Sequence, residues 1–64
     1  MGGEEKRLLR VTEVAQLLGI SRSYAYEMVQ RRQLPALRLG RAIRVPLGAL
    51  ERWLEERIEV EESA

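Results

Sequence analysis

Ala15-Gln16-Leu17-Leu18-Gly19-Ile20-Ser21-Arg22-Ser23-Tyr24-Ala25-Tyr26 reads as the end of one helix, a tight turn and the start of a second helix. Leu17 and Leu18 close an apolar run. Gly19 stands where a chain leaving a helix commonly needs positive φ, which glycine adopts without a Cβ penalty. Ile20 is an apolar residue placed to pack back as a staple, and Ser21 is a favourable N-cap. Two short helices joined by a tight glycine-containing turn form the helix-turn-helix arrangement, whose second helix can enter a DNA major groove.

Working outward toward the N-terminus, Val11, Val14, Ala15 and Leu18 recur at helical spacing with Leu17 beside them, and Glu13 and Gln16 point outward. This predicts a first helix over residues 11–18 with these apolar residues in the core. Arg10 is a poor N-cap and Thr12 a better one, so the start is open to a shift of two residues. Leu8-Leu9 is an apolar pair suited to a lead-in, and residues 1–7 are expected to be a flexible N-terminus.

Working outward in the other direction, the second helix is expected over residues 22–33. At about 100° per residue, Ala25, Met28 and Val29 share one face, suited to packing on Ala15 and Leu18. Arg22, Ser23, Tyr26, Glu27 and Gln30 lie around the other side, with Tyr24 at the boundary. Such a face can hydrogen-bond base edges and phosphates, and the helix dipole favours phosphate at its first turn. Glu27 runs against this unless it accepts from cytosine N4 or pairs with Arg31.

Leu34-Pro35 is expected to end that helix, because proline disfavours helical backbone in the residue before it. Ala36-Leu37-Arg38-Leu39, Gly40-Arg41 and Ala42-Ile43-Arg44-Val45-Pro46 then read as a β-hairpin, a wing over residues 36–46. In the first run Leu37 and Leu39 share a face and leave Arg38 on the other, and in the second Ile43 and Val45 share a face and leave Arg44 on the other. The expected ribbon rests this apolar side on the core and holds Arg38, Arg41 and Arg44 outside or at the tip, suited to phosphates or a narrow minor groove. Pro46 suits a helix start. Leu47, Leu50, Leu54 and Ile58 follow at spacings of three and four, with Trp53 alongside, as a closing amphipathic helix. Its other face carries Glu51, Glu55, Glu56 and Glu59, with Arg52 and Arg57 able to pair with Glu56, Glu55 or Glu61. Residues 59–64 are expected to be an acidic, frayed tail.

The fold class expected is thus mainly α with a small β-hairpin, a winged helix-turn-helix in the order helix-helix-strand-strand-helix over residues 8–58. The net charge of +1 hides an asymmetry: residues 1–45 carry +5 and residues 46–64 carry −4. A basic part and an acidic part let the chain present a basic face to a polyanion while staying nearly neutral overall. With no His, Cys or Asp and a single Lys, catalysis would fall to Glu or Tyr on solvated helices, so no enzyme, cofactor or metal site is expected. No apolar run approaches the roughly 18 residues of a membrane span, and no small-molecule substrate is indicated.

The residues also carry a family resemblance. Val14-Ala15-x-Leu17-Leu18-Gly19-Ile20-Ser21-Arg22-Ser23-x-x-Tyr26 resembles the excisionase-family DNA-binding domain, a small relative of the MerR-type winged helix. So do Leu34-Pro35-Ala36, Arg38-Leu39-Gly40-Arg41, Ile43-Arg44-Val45-Pro46 and Ala49-Leu50-Glu51-x-Trp53-Leu54. The resemblance implies a recognition helix in the major groove of double-stranded DNA, matched by Ser21, Arg22, Ser23, Tyr24, Tyr26 and Gln30. It implies a wing matched by Arg38, Gly40, Arg41 and Arg44. It further implies a cytoplasmic, nucleoid-associated protein, either a recombination directionality factor or a small transcriptional regulator. Its partners would be an integrase or recombinase, or further copies of itself on DNA. This chain departs from the family pattern at Arg10, where a capping Thr or Ser is usual, at Tyr24, where a small β-branched residue is common, and at Glu27, where a basic or polar residue is common. The competing reading is a protein-interaction module that acts through the acidic C-terminal helix.

Overall fold

Strand and helix succeed each other without a loop at the start of the fold. In the computed structural model, which describes residues 7–59, β1 is Leu8–Arg10 and α1 is Val11–Leu18. Arg10 closes the strand and caps the helix in one extended conformation, φ −81° and ψ 156°. A guanidinium has no acceptor for the helix N–H groups, so capping runs one way: Glu13 Oε1 accepts from the Arg10 N–H at 2.8 Å. The helix therefore begins at Val11, with Arg10 and not Thr12 as its cap. The expected flexible residues 1–6 and the tail residues 60–64 lie outside the described residues. Arg7 is held, because its carbonyl accepts from the Leu47 N–H at 2.8 Å.

Strand β1 was not expected from the sequence, where Leu8-Leu9 reads as a lead-in. It pairs antiparallel with β3, Ala42–Pro46, placing Leu9 opposite Val45 and Arg10 opposite Arg44. On its other side β3 pairs antiparallel with β2, Leu37–Leu39, so the sheet order is β1-β3-β2. The hairpin is thus the larger part of a three-stranded sheet. Pro46 ends β3 in an extended conformation and caps α3, Leu47–Arg57. The bond from Leu47 to Arg7 supplies a partner for one of the orphan N–H groups at that helix start.

The core lies where α1, α2 (Arg22–Gln30), the sheet and α3 converge. Val14, Ala25 and Val45 are fully buried, with Leu9, Val11, Ala15, Val29, Leu34 and Leu50 close behind. Each larger aliphatic side chain stabilises the fold by about 1.5–3 kcal/mol through burial, and the paired alanines Ala15 and Ala25 suit a close approach of α1 to α2. Of the residues expected on the core faces of the helices, two are outside. Leu17, off the buried stripe of α1, is 65% exposed, and Ile58 falls past the end of α3 in extended backbone.

Candidate nucleic-acid interface

Both ends of the turn between α1 and α2 are built as the sequence implies. Gly19 takes φ +70°, and the Gly19 and Ile20 N–H groups donate back to Gln16 and Ala15 at 3.3 and 3.0 Å. Ser21 caps α2, its Oγ accepting from the Tyr24 N–H at 3.0 Å. This fixes the helix entry and leaves Arg22, Ser23, Tyr24, Tyr26, Glu27 and Gln30 exposed, while Ala25 and Val29 are buried. Glu27 pairs with Arg31 at 2.9 Å, one helical turn on. Both partners are well exposed, so the pair adds little stability, but it neutralises the carboxylate on an otherwise uncharged or cationic face.

Helix α2 ends earlier than residues 22–33. It stops at Gln30 because Arg32 takes the left-handed conformation, φ +61°. Its N–H donates to the Val29 carbonyl at 3.0 Å and the Gln33 N–H to the Met28 carbonyl at 2.7 Å, a Schellman closure with arginine in the position glycine usually holds. Pro35 therefore follows a helix that has already ended. The Gln33 carbonyl accepts from the Trp53 indole Nε1 at 2.7 Å, tying the end of α2 to α3, and the Arg57 guanidinium lies 4.2 Å from the centre of the Trp53 ring. Arg57 thus makes a cation–π contact, while Glu61, the carboxylate expected to pair with it one turn on, lies outside the described residues.

The wing differs from its expected form in the phase of β2. Gly40, at φ +62°, and Arg41 make a two-residue loop, so Leu39 stands opposite Ala42, Arg38 opposite Ile43 and Leu37 opposite Arg44. Residues directly opposite share a face. Leu37 and Leu39 therefore lie on the outer face with Arg44 and Arg10, where they are 43% and 52% exposed, and not on the core. Arg38 shares the inner side with Ile43. The three wing arginines do not form one row: Arg44 is on the outer face, Arg41 at the tip and Arg38 on the side turned toward the core. Arg44 is partly buried, and one of its Nη atoms donates to the Ile43 carbonyl at 2.9 Å.

Helix and wing nevertheless meet on one side of the fold. A cleft of about 360 Å³ is bounded by Thr12 of α1, Tyr26 of α2, and Arg41, Ile43 and Arg44 of the hairpin. A tyrosine from the exposed side of α2 thus lines the same groove as three arginines, Arg10, Arg41 and Arg44. The exposed acidic residues Glu51, Glu55 and Glu56 are all on α3, which packs on β3. Among the described residues no group of three or more side chains is arranged to hold a metal ion, and no helix is long and apolar enough to cross a membrane. Sequence reasoning placed Arg10 and Thr12 only as rival helix caps and gave Arg32 no role, which would have required expecting a left-handed arginine.

Comparison with known proteins agrees with this architecture. A family model described as a helix-turn-helix domain matches residues 8–58, most of the chain. Two Mycobacterium tuberculosis proteins, from strains CDC 1551 / Oshkosh and ATCC 25618 / H37Rv, are each 43% identical over 49 residues. Both are provisionally named as DNA-binding proteins, and the match covers 77% of this chain and 63% of theirs. No solved structure matches the chain at a significant level.

Proposed function

Because the chain belongs to the helix-turn-helix domain family, we propose that it binds double-stranded DNA, with α2 in the major groove and the β2–β3 wing on the adjacent backbone or minor groove. The observation that carries this reading is the shared groove of Tyr26, Arg41 and Arg44, since a reading helix and a wing can act on one duplex only from one side. The provisional names of the mycobacterial relatives point the same way. In this reading Arg22, Ser23, Tyr24, Tyr26 and Gln30 approach bases and nearby phosphates, Ser21 fixes the helix entry, and Gly40 forms the tip that carries Arg41. Arg44 holds the backbone beside the tip, and Arg38, on the opposite face of the wing, holds it apart from them. The finer role is that of an excisionase-type protein in the cytoplasm, a recombination directionality factor or a small transcriptional regulator. One domain covers few base pairs, so useful affinity calls for further copies on the DNA or a larger partner such as an integrase or recombinase.

A titration of duplex DNA against salt tests the reading. Each neutralised phosphate contributes about −0.9 to the slope of log K against log salt concentration, so a flat dependence would sink it. The division of roles is tested by substitution. Arg41→Ala is expected to weaken binding to all sequences alike, whereas Arg22→Ala or Tyr26→Ala also changes site preference, by about 1–3 kcal/mol where a base contact is lost. The reverse pattern in a selection from random duplexes would exchange the roles of helix and wing.

A further inference from the structure

Arg32 occupies a backbone conformation that glycine adopts freely and that a residue with a Cβ adopts at a cost. The equivalent turn at the end of α1 uses Gly19. A glycine in place of Arg32 would make the same two backbone bonds, so the turn itself does not call for arginine. What arginine adds is an exposed cationic side chain on a residue that lines a second cleft, about 240 Å³, together with Val29, Leu34, Pro35, Ala36 and Arg38. Arg38 reaches this cleft because the two-residue loop sets it opposite Ile43, on the side of the sheet away from Arg44. Val29 and Leu34 are buried beneath. Among the described residues the ion pair that forms is Glu27–Arg31, and neither Arg32 nor Arg38 has a carboxylate partner. The ledge is firm: two backbone bonds close it, and Trp53 fixes the Gln33 carbonyl next to Arg32.

We propose that Arg32 and Arg38 form a phosphodiester-binding pair that grips the DNA backbone at the C-terminal end of α2, separate from the contacts of the wing tip. The inference rests on the duplex-binding reading above and extends it to a second backbone contact. Paired guanidinium forks match the oxygens of a phosphodiester. The cleft lies between the end of α2 and the base of the hairpin, where the strand flanking an occupied major groove would pass. A lone helix C-terminus repels anions; two arginines there reverse the local sign. The contact carries no base information, so it acts on every sequence equally.

The test uses the full chain, fluorescently labelled duplexes of several unrelated sequences, and salt titrations of Arg32→Gly and Arg38→Gln beside the parent, with thermal unfolding of each. Arg32→Gly is expected to bind every duplex about three- to tenfold more weakly, with the salt slope shallower by about 0.9, while unfolding no earlier than the parent. Arg38→Gln is expected to show the same loss and the same change of slope, and it leaves the α2 turn untouched. A merely structural role for Arg32 predicts the opposite pattern, with lowered stability and an unchanged slope. If the parent binds duplexes with a steep salt dependence and both variants match it in affinity and slope, the phosphate pair is overturned and the duplex-binding reading stands. If the parent shows no salt-dependent binding, both fall.

Discussion

Helices α1 and α2 end in the same hydrogen-bonded closure but reach it with different residues. In each, a left-handed residue and its successor donate back to carbonyls of the last turn: Gly19 and Ile20 after α1, Arg32 and Gln33 after α2. After α1 the successor is apolar, and Ile20 packs against the core. After α2 it is polar, and closure is secured instead from outside the turn, by the Trp53 bond to the Gln33 carbonyl and by burial of the following Leu34. One end is thus stabilised locally, by a residue type without steric cost. The other carries a strained residue and leans on a distant helix. Strain of this kind persists only where surrounding structure holds it.

The comparison can be broken most strongly at Gly19. Gly19→Val places a β-branched residue at φ +70°, where the added Cβ meets no other atom within 4 Å, so the penalty is backbone strain alone. A loss of about 1–2 kcal/mol is expected, and thermal unfolding should move down by roughly 4–8 °C per kcal/mol. Trp53→Phe keeps most of the apolar contact but removes the hydrogen bond to Gln33, and is expected to cost about 1 kcal/mol in urea unfolding. A negligible cost would mean that the end of α2 closes without help from α3. The smallest effect, of opposite sign, is expected for Arg32→Gly. Relief of the left-handed strain outweighs the extra entropy of an unfolded glycine, a gain of about 0.5 kcal/mol by calorimetry. A clear destabilisation there would mean that the arginine side chain itself holds the turn.

The difference between the two ends also explains what the sequence disclosed. Gly19 and Ser21 are residue types with one evident use at a helix boundary, and the end of α1 and the start of α2 follow from them. Arg32 offers no such signal, so helical spacing alone carries α2 on to Gln33, past the point where the left-handed Arg32 ends it. Strand β1 is three residues long and its partner lies at the far end of the fold, so nothing local marks Leu8–Arg10 as a strand. The error over Leu37 and Leu39 is of another kind. The sign was present in the two-residue loop Gly40-Arg41, which forces Leu39 opposite Ala42 and hence Leu37 opposite Arg44. Reading each strand's alternation by itself loses that parity. On the candidate interface, the exposed side of α2 was legible from helical spacing, and the pairing of Glu27 with Arg31 was one of two alternatives it left open. The distribution of the wing arginines over two faces was not, because it depends on the register.

The pairing of β1 with β3 also bears on the order in which the fold forms. The α1–α2 turn and the β2–β3 hairpin join neighbours in the chain and close short loops, whereas β1 must await a completed β3 from the opposite end of the domain. The first segment of the fold is thus expected to be among the last to lock and the first to open. Amide protons of Leu8–Arg10 would then exchange through partial openings that leave the helices intact. Since Arg10 also caps α1, each such opening loosens the entry of that helix while the α1–α2 junction stays closed.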